Sequence, residues 1–172
     1  MAPLNPEHLF QQALKLTEPD AGRPRQADLR RAVSSAYYGL FHAVATAASD
    51  RFIGASNRSM ARYELVYRSI DHNRLRALCD EVAKQTVDSR FVPPGGFSAN
   101  LKAFATAIVD LYQMRHDADY NPSIDVTRSE VRLLVATAQD AFEAFVSAPT
   151  EEREALPDPA ALQTAQKLNF AD

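Results

Sequence analysis

The residues best suited to chemistry stand together in one short segment, residues 115–122, which reads RHDADYNP. Pro122 disfavours helical structure at the residue before it, so the segment lies where a helix ends. Side chains at a helix end are easily exposed to a ligand. Two interpretations stay open: Arg115 binds an anion such as phosphate, or Arg115 and Asp119, four residues apart, form a clamp that fixes the helix end.

Arg115 continues the apolar face of the helix that precedes this segment. That face is formed by Leu101, Phe104, Ala105, Ile108, Leu111 and Tyr112. A guanidinium on an inward face cannot lose its proton, so an acceptor must come to it. We therefore expect Arg115 to be buried and paired with Asp119, with Tyr38 or Ser35 completing the hydrogen bonds.

The partner side chains come from a long helix that the periodicity predicts over residues 26–49. Beside its apolar face runs a polar stripe of Arg31, Ser35, Tyr38 and His42, which faces either solvent or a site. The centres of the strongest apolar stripes predict the core. These residues are Tyr37, Leu40, Phe41, Ile108, Leu111, Phe142 and Phe145.

Proline and glycine clusters divide the rest of the chain into helical stretches. Asp71, Ser98 and a capping box from Thr127 to Glu130 predict three helix starts. No alternating apolar and polar run predicts a strand. We predict an all-α, up-and-down bundle of five to six helices over residues 1–148. Residues 149–172 are predicted to form an acidic, proline-rich tail, in which residues 157–168 are either a short peripheral helix or a loosely held segment.

The net charge of −3 argues against non-specific binding of nucleic acid by the molecule as a whole. Residues 51–76 are an exception, with six arginines against two acidic residues; such arginines either pair with nearby acids or form a binding patch. Cys79, the only cysteine, is predicted to be a buried hydrophobe.

The sequence lacks the usual motifs of cofactor enzymes, and its histidines fall in four different segments. We predict neither a cofactor nor a metal site. No apolar run is long enough to cross a bilayer, and no leader pattern opens the chain. The prediction is a cytoplasmic protein that does not insert in a membrane.

Three segments of the sequence resemble motifs of the HEPN domain family. Residues 30–44 (RRAVSSAYYGLFHAV) resemble its AYYxxFH signature helix, and residues 115–120 (RHDADY) resemble its Arg-x-x-Ala-Asp-Tyr motif. Between them, residues 67–72 (YRSIDH) are also similar to members of this group. The resemblance covers about residues 5–148.

The resemblance implies a bundle of about five helices, a homodimer, and a link to RNA or nucleotides. Many members are metal-independent endoribonucleases of toxin–antitoxin or defence systems, partnered by nucleotidyltransferases. In those enzymes an arginine is followed after four to six residues by a histidine. Such a pair supplies proton transfer near neutral pH and a fixed cation when an RNA 2′-OH attacks the adjacent phosphate.

This chain departs from that pattern, because Asp119, Tyr120 and Asn121 occupy the positions four to six residues after Arg115. His116 is adjacent to Arg115 and so about 100° round the helix.

Three functions remain open: binding of RNA or nucleotide, RNA cleavage, and an interaction module for a nucleotidyltransferase-like partner. The catalytic candidates are Arg115, His116 and Tyr120, with His72 or His42 as alternatives to His116. The binding candidates are Arg115, Asp119, Tyr38, His42, Arg68 and His72.

Overall fold

The computed structural model describes residues 3–18, 22–89 and 92–156, and within these ranges every regular element is a helix. The α-helices are α1 (Pro6–Leu16), α2 (Gln26–Ile53), α3 (Ala61–Ser69), α4 (His72–Lys84), α5 (Ala99–Tyr120), α6 (Arg128–Ser147) and α7 (Thr150–Ala155). A 3-10 turn, Ala55–Asn57, joins α2 to α3. The predicted all-α bundle is confirmed, with the six-residue α7 as an addition. No helix in the described part of the chain is long and apolar enough to cross a membrane.

The predicted helix starts are found where side chains satisfy free backbone N–H groups. Asp71 accepts a hydrogen bond from the N–H of Arg74 (3.0 Å), and Ser98 caps α5. Thr127 and Glu130 form the full capping box of α6. The Asp71 cap begins α4 as a helix separate from α3.

Helix α2 is the central element, in contact with α1, α3, α5, α6 and α7. It runs four residues beyond the predicted end and stops at Gly54, whose positive φ of 91° favours glycine. Near its middle, Gly39 meets the ring of Phe10 from α1. A Cβ at position 39 would lie 2.3 Å from Cε1 of that ring, so only glycine permits this close approach.

The direction of the helices follows from their contacts. Ser34 near the start of α2 meets Asp119 near the end of α5, so these two helices are antiparallel. Helices α5 and α6 are also antiparallel, with Phe104 and Phe145 rings 4.4 Å apart across from the connection at residues 121–127. This order fixes where the polar residues of α2 and α5 meet.

Of the seven predicted core residues, six are buried. Phe142 is the exception, since it is only partly buried. Its ring contacts the edge of Phe10 at 5.9 Å, and it also lines a surface cleft. The apolar stripe of α6 is therefore wider than the surface that the bundle covers. Cys79 is buried as predicted, and burial raises the pKa of its thiol well above the usual range.

The segment after residue 148 packs on the bundle as far as it is described. Glu152 of α7 is buried and accepts hydrogen bonds from the backbone N–H (2.8 Å) and the hydroxyl (2.7 Å) of Ser98. Leu156 joins the main core. The helix predicted at residues 157–168 lies outside the described residues.

Candidate functional site

Three distant parts of the sequence converge on one cluster of rings around Arg115. Helix α2 contributes two tyrosines and a histidine, the end of α3 a tyrosine, the start of α4 a histidine, and α5 a tyrosine and the arginine. The Arg115 cluster consists of Tyr37, Tyr38, His42, Tyr67, His72, Tyr112 and Arg115. The three segments that carry the family resemblance, residues 30–44, 67–72 and 115–120, are thus close together in the structure.

The guanidinium of Arg115 lies among three aromatic rings. Its Cζ is 5.2 Å from the ring centroid of Tyr37, 5.8 Å from that of Tyr38 and 5.4 Å from that of Tyr112. Each ring face is attractive to a cation at this distance. Arg115 is 8% exposed, so the expectation that it points inward is confirmed.

Asp119 is the carboxylate that pairs with this cation, as expected. The Arg115 Nη1 to Asp119 Oδ2 distance is 3.6 Å, and Asp119 Oδ1 accepts a hydrogen bond of 2.5 Å from the hydroxyl of Ser34. The prediction that Ser35 completes the hydrogen bonds of this pair is wrong. Its hydroxyl instead donates to the carbonyl of Arg31 within α2 (3.0 Å). Successive residues differ by about 100° round a helix, and Ser34 is the one that faces α5.

The two histidines of the cluster are each held by a tyrosine. The hydroxyl of Tyr37 is 2.9 Å from Nδ1 of His72, and the hydroxyl of Tyr67 is 2.7 Å from Nδ1 of His42. The His42 ring also stacks on Tyr67, with centroids 5.7 Å apart and planes 9° apart. Since each tyrosine contacts Nδ1, each imidazole keeps Nε2 for another partner.

Burial sets the protonation of these pairs. It lowers the pKa of His42, and it lowers the pKa of His72 with a further contribution from the positive charge of Arg115. Burial also raises the pKa of the phenols of Tyr37 and Tyr67. At neutral pH the phenols are protonated and the imidazoles are neutral, and a phenol that donates to Nδ1 leaves the imidazole proton on Nε2. In that tautomer the cluster combines a cation with two N–H donors.

Acid should destabilise the fold through these two histidines. Their pKa values in the folded chain lie below the ordinary 6.5, so the unfolded chain binds more protons below about pH 6.5, and stability falls as the pH falls. The free energy of unfolding, measured in urea from about pH 7 to pH 5, should fall less steeply for a His42→Gln/His72→Gln variant. His116→Gln, which removes an imidazole outside the cluster, is the control; an equal change of slope in both variants would contradict the assignment.

Other predicted site residues lie apart from this cluster. The side chain of His116 is exposed, and its ring contacts Tyr120 (5.1 Å between centroids), which is 67% exposed. Arg68 is 75% exposed and pairs with Glu64 at 3.4 Å. The structure thus brings Arg115, Asp119, Tyr38, His42 and His72 together and leaves His116, Tyr120 and Arg68 outside.

Sequence reasoning missed the polar contacts of two tyrosines, Tyr37 and Tyr112. Tyr37 was predicted only as core, and its ring is indeed fully buried, yet its hydroxyl reaches His72. Tyr112 was placed on the inner face of α5 without a partner; it contacts Arg115 and donates to Asn73 Oδ1 (2.5 Å). The available signal was that a buried phenol needs a hydrogen-bond partner.

The arginine-rich segment 51–76 is partly neutralised by local acids. Arg58 donates from Nε to Asp50 (2.9 Å), and Arg68 pairs with Glu64. Arg62 and Arg76 are exposed on α3 and α4. Because the same two helices supply Tyr67 and His72, the remaining positive charge lies on the elements that border the Arg115 cluster.

Comparisons with other proteins give no match. No family model matches the chain, and neither a curated protein nor a solved structure matches it.

Proposed function

We propose that this chain is a HEPN-type domain that binds a phosphate of RNA or of a nucleotide at the Arg115 cluster. The observation that carries the proposal is the link through Tyr37, whose ring contacts the Arg115 guanidinium while its hydroxyl bonds to His72. A fixed cation beside N–H donors is the arrangement that stabilises an oxyanion.

The orphaned nitrogen of Arg115 supports binding over a purely structural clamp. Asp119 contacts Nη1, whereas Nε is buried and has no hydrogen-bond partner among the described residues. A buried donor without an acceptor costs roughly 1 to 3 kcal/mol, so an oxyanion that reaches it gains affinity. The negative charge of Asp119 is shared with the hydroxyl of Ser34, which reduces its repulsion of that anion.

The aromatic part of the cluster suits the rest of a nucleotide. Tyr38 and His42 are partly buried and stack at 6.1 Å, leaving ring surface at the edge of the bundle. Unpaired bases bind to proteins by stacking on such rings. We therefore favour single-stranded RNA, or a free nucleotide, over a duplex.

Binding is tested by fluorescence anisotropy with a labelled single-stranded oligoribonucleotide of 12 residues, with ATP as the competitor that tests for nucleotide binding. His42→Phe/His72→Phe replaces both N–H donors with apolar rings and should weaken binding by about tenfold or more. His116→Phe, the same change outside the cluster, should bind like the wild type. A wild type without saturable binding of either ligand, or an equal loss in both variants, contradicts the proposal.

One observation favours RNA cleavage as a second candidate function. Because Tyr37 contacts both Arg115 and His72, a histidine lies beside the arginine even though the sequence motif lacks it. In this reaction the 2′-OH attacks the adjacent phosphorus and loses its proton, the bond to the 5′ oxygen breaks, and that oxygen gains a proton. His72 would transfer protons and Arg115 would stabilise the phosphorane charge.

Cleavage is tested by incubating purified protein with total RNA in EDTA. Metal-independent products that His72→Gln loses and His116→Gln keeps would establish the second function. Products that survive in His72→Gln, or no products from the wild type, would exclude His72 catalysis while leaving the binding measurement to stand on its own.

The same proposal predicts a homodimer with C2 symmetry. Several large apolar side chains are exposed in the described ranges, namely Leu4, Met60, Leu65, Met114, Tyr120, Leu133 and Val146. A self-complementary contact would cover part of this surface. Light scattering at micromolar concentration should give twice the mass of 19.0 kDa; a monomeric mass that does not change on dilution would remove the dimer.

A further inference from the structure

A cleft of about 370 Å³ lies between the N-terminal segment and helices α2, α6 and α7. No residue of the Arg115 cluster lines it, although the lining residue Thr46 borders the hydroxyl of Tyr67. The volume of the cleft falls in the range of pockets that bind small molecules.

One wall of the cleft is apolar, and none of the residues that the structure describes covers it. Ala43 and Ala47 of α2 have short side chains that leave room opposite Phe142 and Val146 of α6. Phe142 is only partly buried, and Val146 is 51% exposed. Covering such a surface with an apolar group is favourable by about 25 cal/mol per Å².

The other end of the cleft is polar, but one of its ion pairs is already complete. Asp50 accepts from Arg58 Nε (2.9 Å) and from the hydroxyl of Tyr63 (2.9 Å). The opposite charges of Asp50 and Arg58 therefore largely cancel. The sign of the remaining charge is then set by Arg153 of α7.

Arg153 forms no ion pair in the described part of the chain. Its Nη2 donates to the hydroxyl of Thr150 (3.1 Å), whereas its Nε is buried and has no hydrogen-bond partner there. This nitrogen is one of four buried side-chain atoms without a hydrogen-bond partner among the described residues. Buried donors without acceptors are rare in proteins and call for an explanation.

We propose that the cleft binds a small organic anion with an apolar body and a carboxylate head. The body covers Ala47 and Phe142, and the carboxylate accepts hydrogen bonds from Arg153. Charge complementarity selects the anion, because Arg153 supplies the only uncompensated charge among the described lining residues.

The probe is 4-phenylbutyrate, titrated into the full chain by isothermal titration calorimetry beside its neutral amide, 4-phenylbutanamide. Wild-type protein should bind the acid at least about tenfold more tightly than the amide, as expected for hydrogen bonds to a charged group. Arg153→Gln should remove this preference and leave the affinity for the amide within about twofold. Ala47→Leu fills the cleft and should abolish binding of both compounds.

Two control variants carry the same kinds of substitution at exposed positions of α6. Arg128→Gln removes an exposed arginine of α6, and Ala136→Leu enlarges an exposed alanine of the same helix; both should bind like the wild type. The proposal is overturned if the wild type shows no saturable binding, as it would if the chain's own C-terminal residues or a second copy filled the cleft. Equal affinity for acid and amide, or undiminished binding by Ala47→Leu, also overturns it.

Discussion

Replacing Phe41 by alanine should lower the free energy of unfolding by about 3 to 5 kcal/mol, the usual cost of a cavity left by a buried phenylalanine. Phe41 lies at the centre of α2 and is 7% exposed. Its ring contacts His72 with centroids 3.8 Å apart and Tyr37 at 6.2 Å. The loss is measured by urea denaturation of the two proteins at neutral pH.

The control for Phe41→Ala is Leu133→Ala, which truncates an exposed apolar side chain on α6 and should change stability by less than about 0.5 kcal/mol. A loss below roughly 1 kcal/mol for Phe41→Ala would mean that α2 is not the core helix. Because Phe41 supports His72, the variant should also bind RNA more weakly even where it remains folded.

Arg115→Ala should lower both stability and RNA affinity. Removing one member of a buried ion pair costs about 3 to 5 kcal/mol, and the lower end is expected here because the Asp119 side chain is 26% exposed. The truncation also removes the cation that lies among Tyr37, Tyr38 and Tyr112. Urea denaturation and anisotropy on the same protein separate the two effects.

A double-mutant cycle with Asp119→Ala identifies the origin of the stability loss. If the pair is a clamp, the double variant should be little less stable than either single variant. Arg132→Ala is the matched surface control: it breaks an exposed pair with Glu18 at 2.7 Å and should cost less than about 1 kcal/mol. Lost binding with unchanged stability would show that Arg115 serves only the ligand, and lost stability alone would show that it serves only the fold.

Local signals explain why much of the fold was predictable. Helix periodicity placed α2 and α5, and the caps at Asp71, Ser98 and Thr127 fixed where helices begin, since each depends on residues only a few positions apart. The pairing of Arg115 with Asp119 was predictable for the same reason, because residues four apart share one face of a helix.

Features that depend on contacts between helices were not predictable. Ser34 and Ser35 both lie on α2, and only the position of α5 decides that Ser34 meets Asp119. The partial exposure of Phe142 depends on how much of α6 its neighbours cover. The sequence motif pointed to His116 as the histidine nearest Arg115, whereas the fold places His72, 43 residues away in sequence, on the same tyrosine.

The start of α2 and the α5–α6 connection are joined by bonds that close a very long loop. Gln26 exchanges two hydrogen bonds with the backbone of Val126, 100 residues away, and Arg30 donates to the carbonyls of Pro122 and Ile124. Closing such a loop is entropically costly, so we expect these contacts to form after the transition state of folding. They would then control how long the native state lasts rather than how fast it forms: Gln26→Ala should accelerate unfolding in stopped-flow experiments and leave the refolding rate nearly unchanged.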